Sequence, residues 1–394
     1  MSGTDRTVSG TRRPPSQGAA EVGGTDATIG LTLGRLDLEV ALAVAPGEVL
    51  AVLGPNGSGK TTTLRVLAGL LAVESGRVVI GGVVVDDPLA ATFVLPEHRR
   101  VGMVFQDHLL FPHLDLTENV AFGLRAKGAG RDDARRRAVD WLDRVGIGEL
   151  AESRPAAVSG GQAQRAALAR ALVTEPSLLL LDEPLAALDV TTRTSLRREL
   201  RSHLGEFGGA SVLVTHDTLD ALALADRVIV IEEGRITQAG TLRDVTSTPR
   251  TPYVADLMGT NLLSGHAEGT SVVLDADGPA VSGEQAPGSV EEATASAGRA
   301  TVVTAEAHHG PVLVLVRPSS VTLHRDEPTG SPRNRWRGTV TGFDLLGDRV
   351  RVRIDGPVPL VAEVTPSAVD DLDLTAGSTV WAAVKATDLT VVDR

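Results

Sequence analysis

The strongest constraint on this chain is the run Gly54-Pro55-Asn56-Gly57-Ser58-Gly59-Lys60-Thr61, set between the apolar stretch VLAVL at 49 to 53 and the helical pattern TTTLRVLAGLL at 61 to 71. It has the form G-x-x-x-x-G-K-[ST] in a strand–turn–helix setting. The glycines let successive backbone N–H groups turn inward, the following helix presents its positive end, and the lysine adds a point charge. Such a loop is suited to phosphate oxygens. Lys60 reaches the outer phosphates, Thr62 lies beside the cradle, and the Thr61 hydroxyl is suited to Mg2+.

From about Ala27 to Ile236 further β-rich runs alternate with helical patterns: VGMVFQ, SLLLLDEP, SVLVTH and RVIVIEEGRI. Alternation of this kind predicts a buried, mainly parallel sheet with crossover helices, an α/β fold. In SLLLLDEP a fully apolar strand delivers Asp182 and Glu183 at its carboxyl end, where ligands of such sheets gather. Asp182 is read as holding Mg2+ through water, and Glu183 as polarising a water for in-line attack on a γ-phosphate. The amphipathic piece RDDARRRAVDWLDRVGI is read as a surface helix with Val139, Leu142 and Val145 inward.

Composition removes several other functions. The formal charge of -12 over 394 residues argues against general affinity for nucleic-acid phosphates or anionic lipid. No apolar run reaches the ~18 residues of a membrane span. Without cysteine there is no disulfide, thiol catalysis or cysteine-bound metal. Residues 1–27 are small, polar and punctuated by Gly and Pro, and are expected to form a disordered leader in a cytoplasmic protein.

A phosphate loop alone leaves several classes of nucleotide hydrolase open. The segment Val158-Ser159-Gly160-Gly161-Gln162-Ala163-Gln164-Arg165, opening a helix 23 residues before Asp182, resembles the signature motif of the ABC transporter ATPases. Gln106 stands at that family's Q-loop, Leu188-Asp189 at its D-loop and His216 at its switch. The resemblance implies an ATP- and Mg2+-dependent hydrolase, with Gln106 joining Thr61 and Asp182 at the metal and His216 at the γ-phosphate. It further implies a homodimer in which Ser159, Gly160, Gly161 and Gln162 face the nucleotide of the opposing subunit. One departure concerns adenine: the family stacks the base on an aromatic upstream of the phosphate loop, and this chain has none before Phe93.

DHLLFPHLDLTENVAFGLR, directly after Gln106, is similar to the segment that importer ATPases set against their permease, with Phe111, Pro112 and TENVAFGL typical of subunits served by an external solute-binding protein. The resemblance therefore places the ATPase domain, 28–257, peripherally on the cytoplasmic face of the membrane, beneath permease subunits.

Beyond Leu257 the pattern changes to short alternating strands, an all-β module over 258–394 with a flexible acidic insert at about 276–300. Between Gly265 and Pro311 seven acids face Arg299 alone. VRPSSVTL at 316 to 323 resembles the start of the OB-like (TOBE/MOP-like) barrel carried by many such ATPases. GTVTG at 338 to 342, AEVTPS at 362 to 367 and VWAAVKA at 380 to 386 look like its molybdate- and tungstate-binding version. Thr365, Ser367 and Lys385 could supply an oxyanion site, across a subunit interface if need be; alternatively Ser367 caps the short helix SAVDDL and Lys385 is a solvated strand residue. Arg333, Arg335 and Arg337 around Trp336 are read as a solvated linker leading into a strand. The expected activity is ATP-driven import of a small oxyanion, molybdate first. Sulfate, polyamine, iron or sugar import, a soluble ABC ATPase, and an oxyanion-sensing regulator are the alternatives.

Overall fold

The structure, a computed structural model, describes residues 23–186, 188–275 and 300–394. The expected leader up to residue 22 and the expected acidic insert at 276–299 lie outside the described residues. The chain divides into two compact units: one gathers residues up to Leu50, Thr61–Thr215 and Ala223–Ala225, the other Ala51–Lys60, His216–Leu222 and Asp226–Arg394.

The first unit opens with β1 (Thr25–Leu33) and β2 (Leu36–Val44), whose alternating buried and exposed residues give each strand one core face. β1 begins at Thr25, so residues 25–27 of the expected leader are strand, with Thr25 and Ala27 buried. β3 (Val49–Leu53), whose residues 51–53 are counted with the second unit, is buried throughout and runs towards the phosphate loop, and α1 (Lys60–Ala68) follows it. Then come β4 (Ser75–Ile80), β5 (Val83–Asp87), β6 (Thr92–Phe93) and β7 (Val101–Val104). The helical section holds α2 (Leu116–Ala126), α3 (Arg131–Arg144) and α4 (Gly160–Leu172); β8 (Leu178–Asp182), α5 (Val190–Glu206) and β9 (Ala210–Val214) follow. Within this unit strand neighbours run β6-β5-β4-β1-β2 and β9-β8-β7. The pairs β7–β8 and β8–β9 are parallel, so those strands end at one edge.

Leu116, Val120 and Leu124 of α2, Ala134, Ala138 and Leu142 of α3, and Ala166, Ala169 and Val173 at α4 share one core. The inward face of α3 is thus carried by Ala134, Ala138 and Leu142, with Val145 at its C-cap buried in the same core as expected, while Val139 is only half-buried.

The end of α1 is fixed by a buried cation. Gly69 N–H donates to Val66 and Leu70 N–H to Arg65, a Schellman closure with Gly69 at φ +82°. Arg99, 2% exposed, donates to the carbonyls of Val66 (2.8 Å), Leu67 (3.0 Å), Val94 (2.8 Å) and Val85 (3.3 Å), with Asp86 at 3.7 Å. A Cβ at Gly69 would overlap this guanidinium.

In the second unit α6 (Thr218–Leu224) precedes the hairpin β10 (Arg227–Glu232) and β11 (Arg235–Gly240). Its turn residues Glu233 and Gly234 both have positive φ, the form that suits a two-residue hairpin. β10 lies between β11 and β3, whose residues 51–53 belong to this unit. α7 (Leu242–Ser247) and α8 (Pro252–Leu257) lead into β12 (Asn261–Leu274), β13 (Thr301–Val316), β14 (Thr322–His324), β15 (Asn334–Leu346), β16 (Arg349–Asp355), β17 (Leu360–Val364), α9 (Pro366–Asp371), β18 (Thr379–Val384) and β19 (Leu389–Asp393). They form a three-stranded sheet, β12-β13-β19, and a five-stranded sheet, β14-β18-β15-β16-β17, around one apolar core.

Two buried asparagines join these sheets by imitating a peptide. Asn261 donates to Val316 (3.0 Å) and Val361 (2.9 Å) and accepts from Val361 N–H at 2.6 Å; Asn334 donates to Val303 at 2.8 Å and accepts from its N–H at 2.6 Å. β15 begins at Asn334, so Arg335 and Arg337 belong to the strand and only Arg333 to the expected linker.

Candidate functional site

Gly54, Gly57 and Gly59 of the phosphate loop have φ of +149°, +78° and +110°, conformations that L side chains rarely adopt. A Cβ at Gly54 would also overlap the carbonyl oxygen of Ile231. Lys60, 7% exposed, donates to the carbonyls of Gly54 and Pro55, both at 2.8 Å, which offsets the cost of burying its charge. The Ser58 hydroxyl is buried with no hydrogen-bond partner. Pro55, Asn56 and Gly57 form the outer part of the turn, and Thr61 and Thr62 are half-buried at the start of α1. Positive-φ glycines, an unserved buried hydroxyl and a drawn-in ammonium at a helix start suit a nucleotide's phosphates.

At the sheet edge, Gln106 stands two residues beyond β7, Asp182 ends β8 with 8% exposure, and His216 stands two residues beyond β9. Gln106 and His216 are exposed. Glu183 has φ +45° while its N–H bonds Val214 at 3.0 Å. A left-handed conformation outside glycine costs roughly 1–2 kcal/mol, and such strain concentrates at working positions. Thr61, Gln106 and Asp182 offer only hard oxygen donors, the set that suits Mg2+.

Ser159 caps α4, accepting from Gln162 N–H at 3.3 Å, while Gln162 Oε1 accepts from Ser159 N–H at 2.8 Å. Ser159 and Gly160 are exposed, and Gly161 is buried because a Cβ there would meet Thr192 and Leu196 of α5. Asp189 caps α5, accepting from Thr192 N–H at 3.0 Å.

Several participants carry no legible sequence signal. His108 and Leu109 have φ of +61° and +44°, and Arg170 of α4 donates to both carbonyls, at 2.8 and 2.7 Å. Arg170 also lies over the Phe111 ring, and burial pulls its pKa down from the usual arginine value. Burial likewise lowers the His108 pKa. Asn119, fully buried, accepts from Phe111 N–H at 2.7 Å and donates to Phe111, Leu114 and Asp115. These contacts set Phe111 against Phe122 at 4.6 Å and leave Leu109 and Phe122 exposed.

The oxyanion residues are taken apart within one chain. Thr365, not Ser367, caps α9, accepting from Ala368 N–H at 3.3 Å, and its hydroxyl meets that of Ser367 at 2.9 Å. β17 runs with β15 and β18 against it, so Thr365 and Lys385 leave the sheet at opposite edges. Val364 pairs through Val350 to Leu345, and Val384 pairs to Asn334, a separation along β15 of 345 - 334 = 11 residues.

The fold and these loops define a phosphate-loop α/β ATPase with a C-terminal β module. A family model described as ABC transporter matches residues 38–186, and one described as TOBE domain matches 330–391. The chain is 41% identical over 363 residues to the molybdenum import ATP-binding protein ModC of Mycobacterium tuberculosis, covering 90% of this chain and 93% of the relative. It is 40% identical over 332 residues to the Fe(3+) ions import ATP-binding protein FbpC 1 of Rhizobium meliloti, covering 84% and 86%. Among solved structures, a dimeric ATP-binding cassette, MJ0796, in a post-hydrolysis state with ADP and Pi matches at 31% identity and a TM-score of 0.48, covering 56% of this chain and 99% of that one. The chain belongs to the ABC transporter ATP-binding family, as an ABC-type ATPase carrying a TOBE domain.

Proposed function

We propose that this chain is the ATP-hydrolysing subunit of an importer for a small oxyanion, molybdate first, organised as an ATPase domain over 28–257 and a barrel domain over 258–394. The observation that carries the ATPase reading is the buried Lys60 drawn between the Gly54 and Pro55 carbonyls under positive-φ glycines. In this reading the backbone donors of 54–61 and Lys60 bind the phosphates, with Thr62 beside them. Thr61, Gln106 and Asp182 would hold Mg2+, which when bound neutralises phosphate charge. Glu183 takes the proton of the attacking water, and His216 holds the γ-phosphate. Ser159, Gly160, Gly161 and Gln162 serve the nucleotide of a second copy, with Asp189 at the same interface.

The exposed Leu109 and Phe122, beside the braced Phe111, support docking onto a membrane permease. No described helix is long and apolar enough to cross a membrane, so membrane attachment in this reading is peripheral, at the cytoplasmic face, with an external solute-binding protein acting through the permease.

Molybdate is favoured by the C-terminal text together with the ModC relative, whose match extends over 93% of that protein. The FbpC relative supports a second reading, ferric ion import. Uptake decides between them. Cells lacking this chain lose uptake of labelled molybdate and keep that of ferric ion, and the reverse result overturns molybdate. A protein that hydrolyses no ATP, or whose Glu183→Gln variant turns over normally, overturns the site.

A further inference from the structure

Tyr253 is the chain's single tyrosine. It stands in the first turn of α8, a helix fixed by Pro252 at its start and by Thr251, which accepts from Val254 N–H at 3.3 Å. Its hydroxyl accepts a hydrogen bond from the backbone N–H of Gly54 at 3.2 Å, across 199 residues of sequence. Gly54 is buried, and a buried peptide N–H needs a partner. Burial raises the phenol's pKa above its ordinary value, which keeps the hydroxyl neutral and protonated.

The same loop is held a second time by the β10–β11 turn, where Gly234 N–H donates to the Ser58 carbonyl at 3.0 Å. The Ile231 carbonyl fills the space that a side chain at Gly54 would need. Both ends of the phosphate loop are therefore gripped by residues far downstream. A glycine-rich loop left to itself would sample many conformations, and ordering it would weaken nucleotide binding.

We infer that Tyr253 is a positioning residue for the phosphate loop, its hydroxyl fixing the Gly54 peptide so that the amides of 57–60 are oriented before nucleotide arrives. The inference rests on the reading of 54–61 as an ATP site. It ties nucleotide affinity to the segment that leads into the β module, so a change at α8 is felt at the phosphates.

Tyr253→Phe removes one oxygen and leaves the ring in place. In the full-length protein, the KM for ATP and the Kd of a fluorescent ATP analogue are expected to rise about tenfold, the loss of one net hydrogen bond. The kcat at saturating ATP should stay within about twofold, because the preorganised loop is recovered once ATP is bound; the nucleotide-free protein loses a few degrees of melting temperature, since the buried Gly54 N–H is stranded. A purely structural tyrosine would lower the melting temperature but leave KM and the analogue's Kd in place, and that unchanged affinity overturns the inference.

A second measurement does not need the variant. Incorporating 3-fluorotyrosine gives a single 19F resonance, which is expected to shift on adding ATP with Mg2+ and to stay put in Lys60→Ala. If the wild-type protein binds the fluorescent nucleotide while the resonance is unmoved, the inference fails alone. If the wild-type protein binds no nucleotide, the ATP-site reading fails and takes the inference with it.

Discussion

Replacing Arg99 with Met removes a buried cation that holds four backbone carbonyls, and the cost can be worked from its contacts. Two of the acceptors keep other donors: Val66 also accepts from Gly69 N–H and Val85 from Val94 N–H. The carbonyls of Leu67 and Val94 lose the donor that serves them. Two buried acceptors stranded at roughly 1–3 kcal/mol each give about 4 kcal/mol, within the roughly 3–5 kcal/mol for breaking a buried ion pair. Asp86 stays behind with its Val73 N–H bond. Burial raises its pKa from the ordinary aspartate value, outweighing the attraction of Arg99. A raised native pKa means that the favourable contribution is complete below the unfolded pKa and is lost as pH climbs through the native one. Without Arg99 the native pKa rises further, so the variant's deficit should widen from pH 5 to pH 7.5. The assay is urea unfolding followed through Trp141 in a background where Trp336 and Trp381 are Phe. A deficit below about 1 kcal/mol, or one that shrinks toward neutral pH, would refute the view that Arg99 fixes the end of α1.

Glu183→Gln should slow hydrolysis on the order of 100-fold to 10,000-fold while ATP still binds, as a phosphate-release assay beside nucleotide titration would show. Arg170→Ala should raise hydrogen exchange at 107–111 about tenfold or more, because two charge-assisted bonds to left-handed residues are lost; unchanged exchange would mean that the turn holds without them. Asn261→Leu strands two carbonyls and one N–H between the sheets. It should cost the β module about 3 kcal/mol, read from the Trp336 and Trp381 unfolding transition.

The parts legible in sequence are those whose chemistry is local. The strand–loop–helix at 49–71, the leucines before Asp182 and the SGGQ helix start each state their conformation within one short continuous stretch, through period, glycine placement and capping. Parallel pairing of β7, β8 and β9 followed from their unbroken apolar character. What escaped depends on distant pairing. Nothing near Arg99 in sequence announces the carbonyls of Val66 and Leu67, and nothing in PRTPYVADL points to Gly54. The strain at Glu183 and Leu109 was equally hidden, since side chains of those types carry no left-handed signal of their own, and the modest left-handed enrichment of histidine does not single out His108 among nine. The Ser367 cap failed for a local reason: Pro366 takes the first helical position, which moves the cap from Ser367 back to Thr365.

The opposite exits of Thr365 and Lys385 turn the anion question into one of assembly. A small oxyanion spans only a few ångströms, and within a single chain Thr365 and Lys385 follow strands that run in opposite directions. If all three residues serve one anion, Thr365 and Ser367 of one copy must meet Lys385 of another. Calorimetric titration of the full-length protein with molybdate should then give stoichiometries tied to the pairing of chains, with heat that fades as the protein is diluted to monomer. Lys385→Ala and Thr365→Ala should each lose binding, whereas an equimolar, re-equilibrated mixture of the two regains about a quarter of it, because half of the randomly formed pairs are mixed and each of these retains one intact site of two. Sulfate and phosphate, run alongside with ATP hydrolysis followed in parallel, report selectivity and any control of the ATPase. Full-strength binding by a monomer would refute the shared site, and the Lys385→Ala variant would then show whether lysine acts there at all.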